Sequence, residues 1–345
     1  MVTSEQVAQL AGVSRATVSR VLNGSARISD DARERVHKAI KALGYEPNVV
    51  AQNLARPRSR MIALGLFHDN EGLAISQLGR TENYFYIDMV RHIDRCVAEI
   101  GYDLFMPSLP RSKPESYIRS LQARRAAGII MLAVDQSDPR IEALIQAKIP
   151  TVFVDAMGEG SHATYAQSNH LEGARQVGEH LLALGHRRIA FLIEPLSNPT
   201  STERLLGCQQ VLARAGVPFD PGLLCQIEWS TDEAYHATKE FLSRRRDFTA
   251  IVAGSDMMAI GILRALHEAG LRVPEDVSLT GFDDVVLSQY TTPPLTTVRQ
   301  DKEALGKGAV QRLIALIEET GDVSPLIVPS QLVVRESTGP APVSS

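Results

Sequence analysis

Ala11-Gly12-Val13-Ser14-Arg15-Ala16-Thr17-Val18-Ser19-Arg20-Val21-Leu22-Asn23 carries the reading of the whole chain. Gly12 ends one helix and Ser14 caps the next, so two short helices meet at a tight glycine-containing turn. Upstream, Thr3-Ser4-Glu5-Gln6 is a capping-box pattern, with Val7, Leu10 and Ala11 following at helical spacing. In the second helix Val18, Val21 and Leu22 face inward, while Arg15, Ala16, Ser19 and Arg20 face out. Downstream, Asn23-Gly24-Ser25 is a turn signal. Ser29-Asp30-Asp31 opens a third helix, with a stripe of Ala32, Val36, Ala39, Ile40 and Leu43 closed by Gly44. Two helices at a tight turn, braced by a third, form a helix-turn-helix.

In that motif the second helix enters the major groove and its early residues touch base edges. This one offers only small or basic groups there. Arginine matches guanine O6 and N7 with two hydrogen bonds, alanine meets a thymine methyl, and hydroxyls reach phosphates or bases. A three-helix protein-interaction module with the same packing is the alternative at this point. Charge favours DNA. Residues 1–60 hold ten basic and five acidic residues, a local +5, while the remainder holds 26 basic and 35 acidic, a net −9. A small basic head on an acidic body points to a polyanionic partner for the head.

The same string, with Val7-Ala8 before it and Gly44-Tyr45-Glu46-Pro47-Asn48 and Ala51-Gln52-Asn53-Leu54-Ala55 after it, resembles the DNA-binding head of the LacI/GalR repressor family. The resemblance implies a hinge helix in the second stretch that folds on operator DNA, with Leu54 pushed into the minor groove. An apolar wedge of that kind unstacks a base step and kinks the duplex. A linker leucine packed on the body is the plain alternative for Leu54. Val49 departs from the family, which usually has a basic or small residue there. The expected DNA-contacting set is Thr3, Ser14, Arg15, Ala16, Thr17, Ser19, Arg20, Asn23, Ser29 and Leu54.

The 345 residues are 44% hydrophobic and 22% charged, an ordinary globular composition with room for further domains. No apolar run approaches a membrane span; Ala126–Val134 stops at Asp135. The first residues show no basic and apolar leader, and Cys96, Cys208 and Cys225 form no Cys-x-x-Cys pair. A cytoplasmic protein without a disulfide framework, metal site or cofactor is expected.

From residue 61 strands and helices alternate. Buried-strand runs are Ile62–Leu66, Leu104–Met106, Gly128–Val134, Thr151–Val154, Ile189–Ile193, Leu223–Ile227, Ala250–Ala253 and Val277–Gly281. Amphipathic helices intervene near 86–100, 115–124, 139–147, 170–184, 203–215, 232–244, 256–269 and 302–319. The expected fold is an all-α helix-turn-helix head plus an α/β body of two doubly wound parallel-sheet lobes. The resemblance continues through Leu184-Gly185-His186, Ser255-Asp256-Met257, Gly281-Phe282-Asp283-Asp284 and Thr292-Pro293-Pro294-Leu295-Thr296. It implies a body similar to periplasmic sugar-binding proteins, with three crossings between lobes near 158–163, 288–294 and 320–325. The division is then 1–46 for the head, 47–60 for hinge helix and linker, 61–160 with 292–322 for one lobe, and 161–291 with 323–340 for the other.

Ligands of open parallel sheets bind beyond the carboxyl ends of the strands, so two facing lobes place one ligand in the cleft between them. Polar residues at those ends, together with the family's placement of such groups around sugar hydroxyls, nominate Asp155, Arg204 (opening helix 203–215), Trp229, Ser255, Asp283 and Gln300, with Phe85 from the first loop. Carboxylates accept from vicinal hydroxyls, a guanidinium donates to two oxygens, and an indole stacks on a sugar face. Each has a structural alternative: Asp155 and Asp283 as helix caps, Trp229 as core. The 68–83 stretch is longer than in the family and ends Asn83-Tyr84-Phe85-Tyr86 where Asn-Pro-Phe-Phe is usual.

The expectation is a transcription regulator, a repressor binding a palindromic operator as a homodimer under control of a small-molecule effector, a sugar. A sugar-active enzyme or a sugar-binding receptor on the same scaffold is the alternative. The receptor requires a signal peptide. Gly158-Glu159-Gly160-Ser161-His162-Ala163 matches a dinucleotide fingerprint, but an extended stretch follows instead of the required helix. No P-loop or Gly-x-Ser-x-Gly elbow is present. The 337–345 tail has two prolines and no heptads, which favours a dimer over a tetramer.

Overall fold

The computed structural model describes residues 2–22, 28–45, 59–66, 84–107 and 113–342. Asn23, the hinge stretch with Val49 and Leu54, and the 68–83 loop lie outside the described residues. The chain divides into two compact units, Met1–Arg60 and Met61–Ser345.

The first unit holds α1 (Ser4–Ala11), α2 (Arg15–Leu22) and α3 (Asp30–Leu43). The capping box is formed: Gln6 N donates to Thr3 Oγ1 at 3.4 Å, and Thr3 N donates to Gln6 Oε1 at 2.9 Å. Gly12 closes α1 at φ 62°, a left-handed conformation that only glycine adopts without a Cβ penalty. Val7, Ala8, Ala11, Val18, Val21, Val36 and Ala39 make the core. Leu10, expected on the inner stripe, is 58% exposed. The buried face is centred between Val7 and Ala8, and at 3.6 residues per turn Leu10 falls roughly 100° away from that centre.

The second unit runs β1 (Met61–Leu66), α4 (Tyr84–Glu99), β2 (Asp103–Phe105), α5 (Pro114–Ala123), β3 (Gly128–Leu132), α6 (Pro139–Gln146), β4 (Thr151–Val154) and β5 (Ala163–Ser168). It continues with α7 (His170–Ala183), β6 (Ile189–Ile193), α8 (Pro199–Arg214), β7 (Leu224–Gln226), α9 (Thr231–Arg244), β8 (Ala250–Ala253), α10 (Asp256–Glu268), β9 (Ser278–Thr280) and β10 (Thr297–Gln300). The last elements are α11 (Lys302–Glu318), β11 (Leu326–Val328) and β12 (Ser330–Val333). One parallel sheet has the order β11-β5-β4-β3-β1-β2 and the other β7-β6-β8-β9.

Both faces of each sheet are covered, which explains the unbroken apolar runs of β3 and β6. In the first lobe Ile62, Leu64 and Ile130 face Met89 and Ile93 of α4 and Leu305 and Leu313 of α11. Ala63, Ile129 and Met131, on the opposite face, pack on Tyr117 and Leu121 of α5 and Leu144 of α6. In the second lobe Leu192 and Ile251 join Phe241 and Ile262, while Phe191 and Val252 join Val177 and Cys208.

The lobe boundaries differ from those expected. A strand satisfies its backbone in the sheet that it extends. Residues 163–168 pair with β4, from Thr151–Ala163 to Val154–Ala166, and 326–328 pair with β5. Both segments therefore belong to the first lobe, and 158–162 is the return into β5 rather than a crossing. β10 pairs antiparallel with β12, and bridges Thr280–Thr296 and Asp283–Arg299 tie it to the second lobe, not the first. The three crossings follow Ser168, Gln300 and Val328.

Candidate functional site

On the head, Arg15, Ala16, Ser19 and Arg20 are exposed along α2, which carries no acidic residue in its first turn. Ser14 caps this helix: Thr17 N donates to its Oγ at 3.1 Å, and the two hydroxyls lie 2.9 Å apart. Arg15 Nε donates to Ser4 Oγ at 3.0 Å, so one edge of the guanidinium is held by α1. Thr3 and Ser29 spend their side-chain acceptors on the caps of α1 and α3, Ser29 Oγ receiving Ala32 N at 3.4 Å. The exposed surface of α2 is thus small and basic, with Arg15 and Ala16 at the positive end of the helix dipole, which suits an anionic duplex.

In the body, the carboxyl ends of strands from both lobes surround a cavity of about 310 Å³. Six of the expected residues line it: Phe85, Asp155, Arg204, Trp229, Asp283 and Gln300. Asp155 follows β4 directly, Asp283 comes three residues after the end of β9, and both hold left-handed backbones, φ 60° and 119°, as does Ala133 at φ 55°. Strained conformations of this kind concentrate where a site fixes side-chain direction.

Arg204 lies in the second turn of α8, because Asn198 caps the helix and Pro199 begins it four residues before the expected start. Its guanidinium stacks over Phe282, 4.1 Å from the ring centroid. Nη1 donates to Gly254 O at 2.5 Å and lies 3.6 Å from Glu194 Oε1. Nε donates to His170 Nδ1 at 3.4 Å. Gln300 Nε2 donates to Asp283 Oδ1 at 2.7 Å, and Gln300 Oε1 is buried without a hydrogen-bond partner. Burial raises the Asp283 carboxyl to about 7, against the pull of Arg204, Lys302 and Gln300. Tyr86 donates to Asp155 Oδ2 at 3.5 Å, and burial drives its phenol well above its ordinary range. Trp229 stands at the wall with its ring 6.4 Å from that of Tyr86.

Ser255 does not line the cavity. It is buried and caps α10, accepting from Met258 N at 3.2 Å, which is the commonest task of a serine between strand and helix. The sequence reading also missed residues. Glu194 follows β6 just as Asp155 follows β4, and the same strand-end logic finds it. Asp138 and Arg140, buried and paired through Arg140 Nη2 and Asp138 Oδ2 at 2.5 Å, open α6 and line the first-lobe wall. Tyr86 carries no signal beyond its place beside Phe85.

A polar cavity between two lobes and a basic helix-turn-helix agree with what the chain is similar to. The bacterial regulatory proteins, lacI family, match residues 4–48, and the periplasmic binding protein-like domain matches residues 178–338. The chain is 34% identical over 340 residues to the HTH-type transcriptional regulator CelR of Thermobifida fusca, covering 97% of this chain and 98% of that one. Its structure is similar to the transcriptional regulator CelR–cellobiose complex, with TM-score 0.73, 32% identity and coverage of 98% and 100%. It is also similar to the lac repressor dimer bound to operator and the anti-inducer ONPF, with TM-score 0.82, 31% identity and coverage of 98% and 99%. These proteins regulate transcription and are not enzymes. The chain belongs to the LacI family of bacterial transcriptional regulators.

Proposed function

We propose that the chain is a repressor that grips a palindromic operator as a homodimer and changes that grip when a sugar occupies the interlobe cavity. The observation that carries this reading is the convergence of Asp155, Arg204, Trp229, Asp283 and Gln300 from both lobes on one cavity. Such a site senses lobe closure, because its ligand touches both sides. The relative solved with cellobiose supports a sugar, and the lac repressor dimer on operator supports paired heads.

On the head, Arg15, Ala16, Ser19 and Arg20 read base edges, and Ser14, Thr17 and Asn23 position the helix. Leu54 wedges the operator centre, with 47–60 as the connector. A second-lobe surface supports a twofold partner: Val286 is 52% and Tyr290 77% exposed, and Ile260, Leu263 and Val273 line a groove nearby. Dimer symmetry then mirrors operator symmetry. No described helix is long and apolar enough to cross a membrane. A DNA-binding role places the protein in the bacterial cytoplasm.

Trp229 is the only tryptophan, so intrinsic fluorescence reports cavity occupancy directly. Titration with neutral mono- and disaccharides is expected to give a saturable change with at least one, and the Arg204→Ala variant is expected to lose it. A response that survives in Arg204→Ala places the ligand elsewhere.

A further inference from the structure

Glu194 is 2% exposed at the carboxyl end of β6. Ser201 Oγ donates to its Oε2 at 3.3 Å, whereas Oε1 lies 3.6 Å from Arg204 Nη1 and has no hydrogen-bond partner. The fold reserves space for this group. A Cβ on Gly254 would come 2.4 Å from Oε2, so glycine there lets the carboxylate keep this position. A buried carboxylate oxygen without a donor costs free energy unless something supplies one.

The cavity as a whole is acidic. Asp135, Asp138, Asp155, Glu194 and Glu228 line it with Asp283, which burial holds partly protonated near neutrality, against two guanidinium groups. Both guanidinium groups are already engaged: Arg140 forks onto Asp138, and Arg204 donates to Gly254 O and His170. Phosphate recognition needs cationic donors that are free to fork onto its oxygens, and like charges repel strongly where water is sparse.

We infer that the cavity selects an uncharged polyhydroxylated ligand and rejects its phosphorylated or acidic counterpart, with Glu194 as the discriminating residue whose Oε1 accepts a ligand hydroxyl. This inference rests on the proposed effector role of the cavity.

The test is Trp229 fluorescence titration of the full chain with cellobiose, glucose and ribose, and in parallel with glucose 6-phosphate, ribose 5-phosphate and gluconate. A neutral sugar is expected to bind at least tenfold tighter than its charged partner. In Glu194→Gln, which keeps the volume opposite Gly254, that ratio is expected to shrink several-fold. Glu228→Gln, on the exposed rim, tests the charge argument if the buried variant fails to fold, and is expected to shrink the ratio too. A phosphorylated sugar that binds as well as the neutral one overturns the inference and leaves the effector reading standing. A ratio unchanged in both variants also overturns it. Silence of all six compounds removes the effector reading itself, and this inference with it.

Discussion

Asp155 Oδ1 and His170 Nε2 lie 3.3 Å apart across the boundary between the lobes. Asp155 ends β4 in the first lobe, and His170 opens α7 just beyond the first crossing. On its other side the ring accepts from Arg204 Nε through Nδ1. Both contacts hold together in the tautomer that carries its proton on Nε2. One buried imidazole thus joins a cavity carboxylate of one lobe to the cavity guanidinium of the other. A ligand that engages Asp155 and Arg204 acts on the link that holds the lobes in register.

Replacing that ring is the first test. His170→Phe keeps the bulk beside Phe282 and removes both hydrogen bonds. The loss leaves buried polar atoms short of a partner and is expected to cost about 1–3 kcal/mol of stability in denaturant titration. Ligand affinity, read by Trp229 fluorescence, is expected to fall with it. Unchanged affinity means that Asp155 and Arg204 are held by their other neighbours.

Asp283 gives the stability a pH signature. Its folded value is about 7, against 3.8 for an ordinary aspartate, so the folded chain holds the proton more tightly than the unfolded one. That contribution is complete below about 3.8 and is lost as pH rises through about 7. Asp256, whose carboxyl burial also pushes well up, acts in the same direction. The melting temperature of the wild type is therefore expected to drop between pH 5 and pH 8 more steeply than that of Asp283→Asn. Parallel curves for the two proteins count against a buried, proton-holding Asp283.

On the head, Arg20 is exposed on α2, on the face proposed to read bases. Arg20→Ala is expected to lose about 1–3 kcal/mol on the preferred operator and to relax preference at one base position. Equal weakening on operator and random duplex makes Arg20 a phosphate contact instead.

Local chemistry was the legible part of this sequence. Thr3, Ser14 and Ser29 announced the three head helices because a cap is a contact within one turn. Asp155, Asp283 and Arg204 were found at the cavity because parallel sheets put their strand ends at one edge. The extended run after Gly158 was read as extended, and β5 is there. Its sheet was misassigned, because the choice between lobes is made by pairing partners more than a hundred residues apart, Leu326–Val328 with Ala166–Ser168. Ser255 was misread since a serine between strand and helix serves a cap as readily as a ligand. His170 was missed because its importance lies in what it faces, Asp155 and Arg204, neither close in sequence, whereas Glu194, at the end of β6, was open to the same strand-end logic as Asp155.

The central claim is that cavity occupancy and operator binding are one coupled equilibrium, and linkage makes that claim exact in a measurable way. A palindrome selected from random duplexes by the full chain supplies the operator, and a sugar detected by Trp229 fluorescence supplies the ligand. The decisive measurement is operator affinity with and without that sugar, beside sugar affinity with and without the operator. The account predicts that both ratios depart from unity by the same factor. A sugar that saturates the cavity while leaving operator affinity untouched contradicts it.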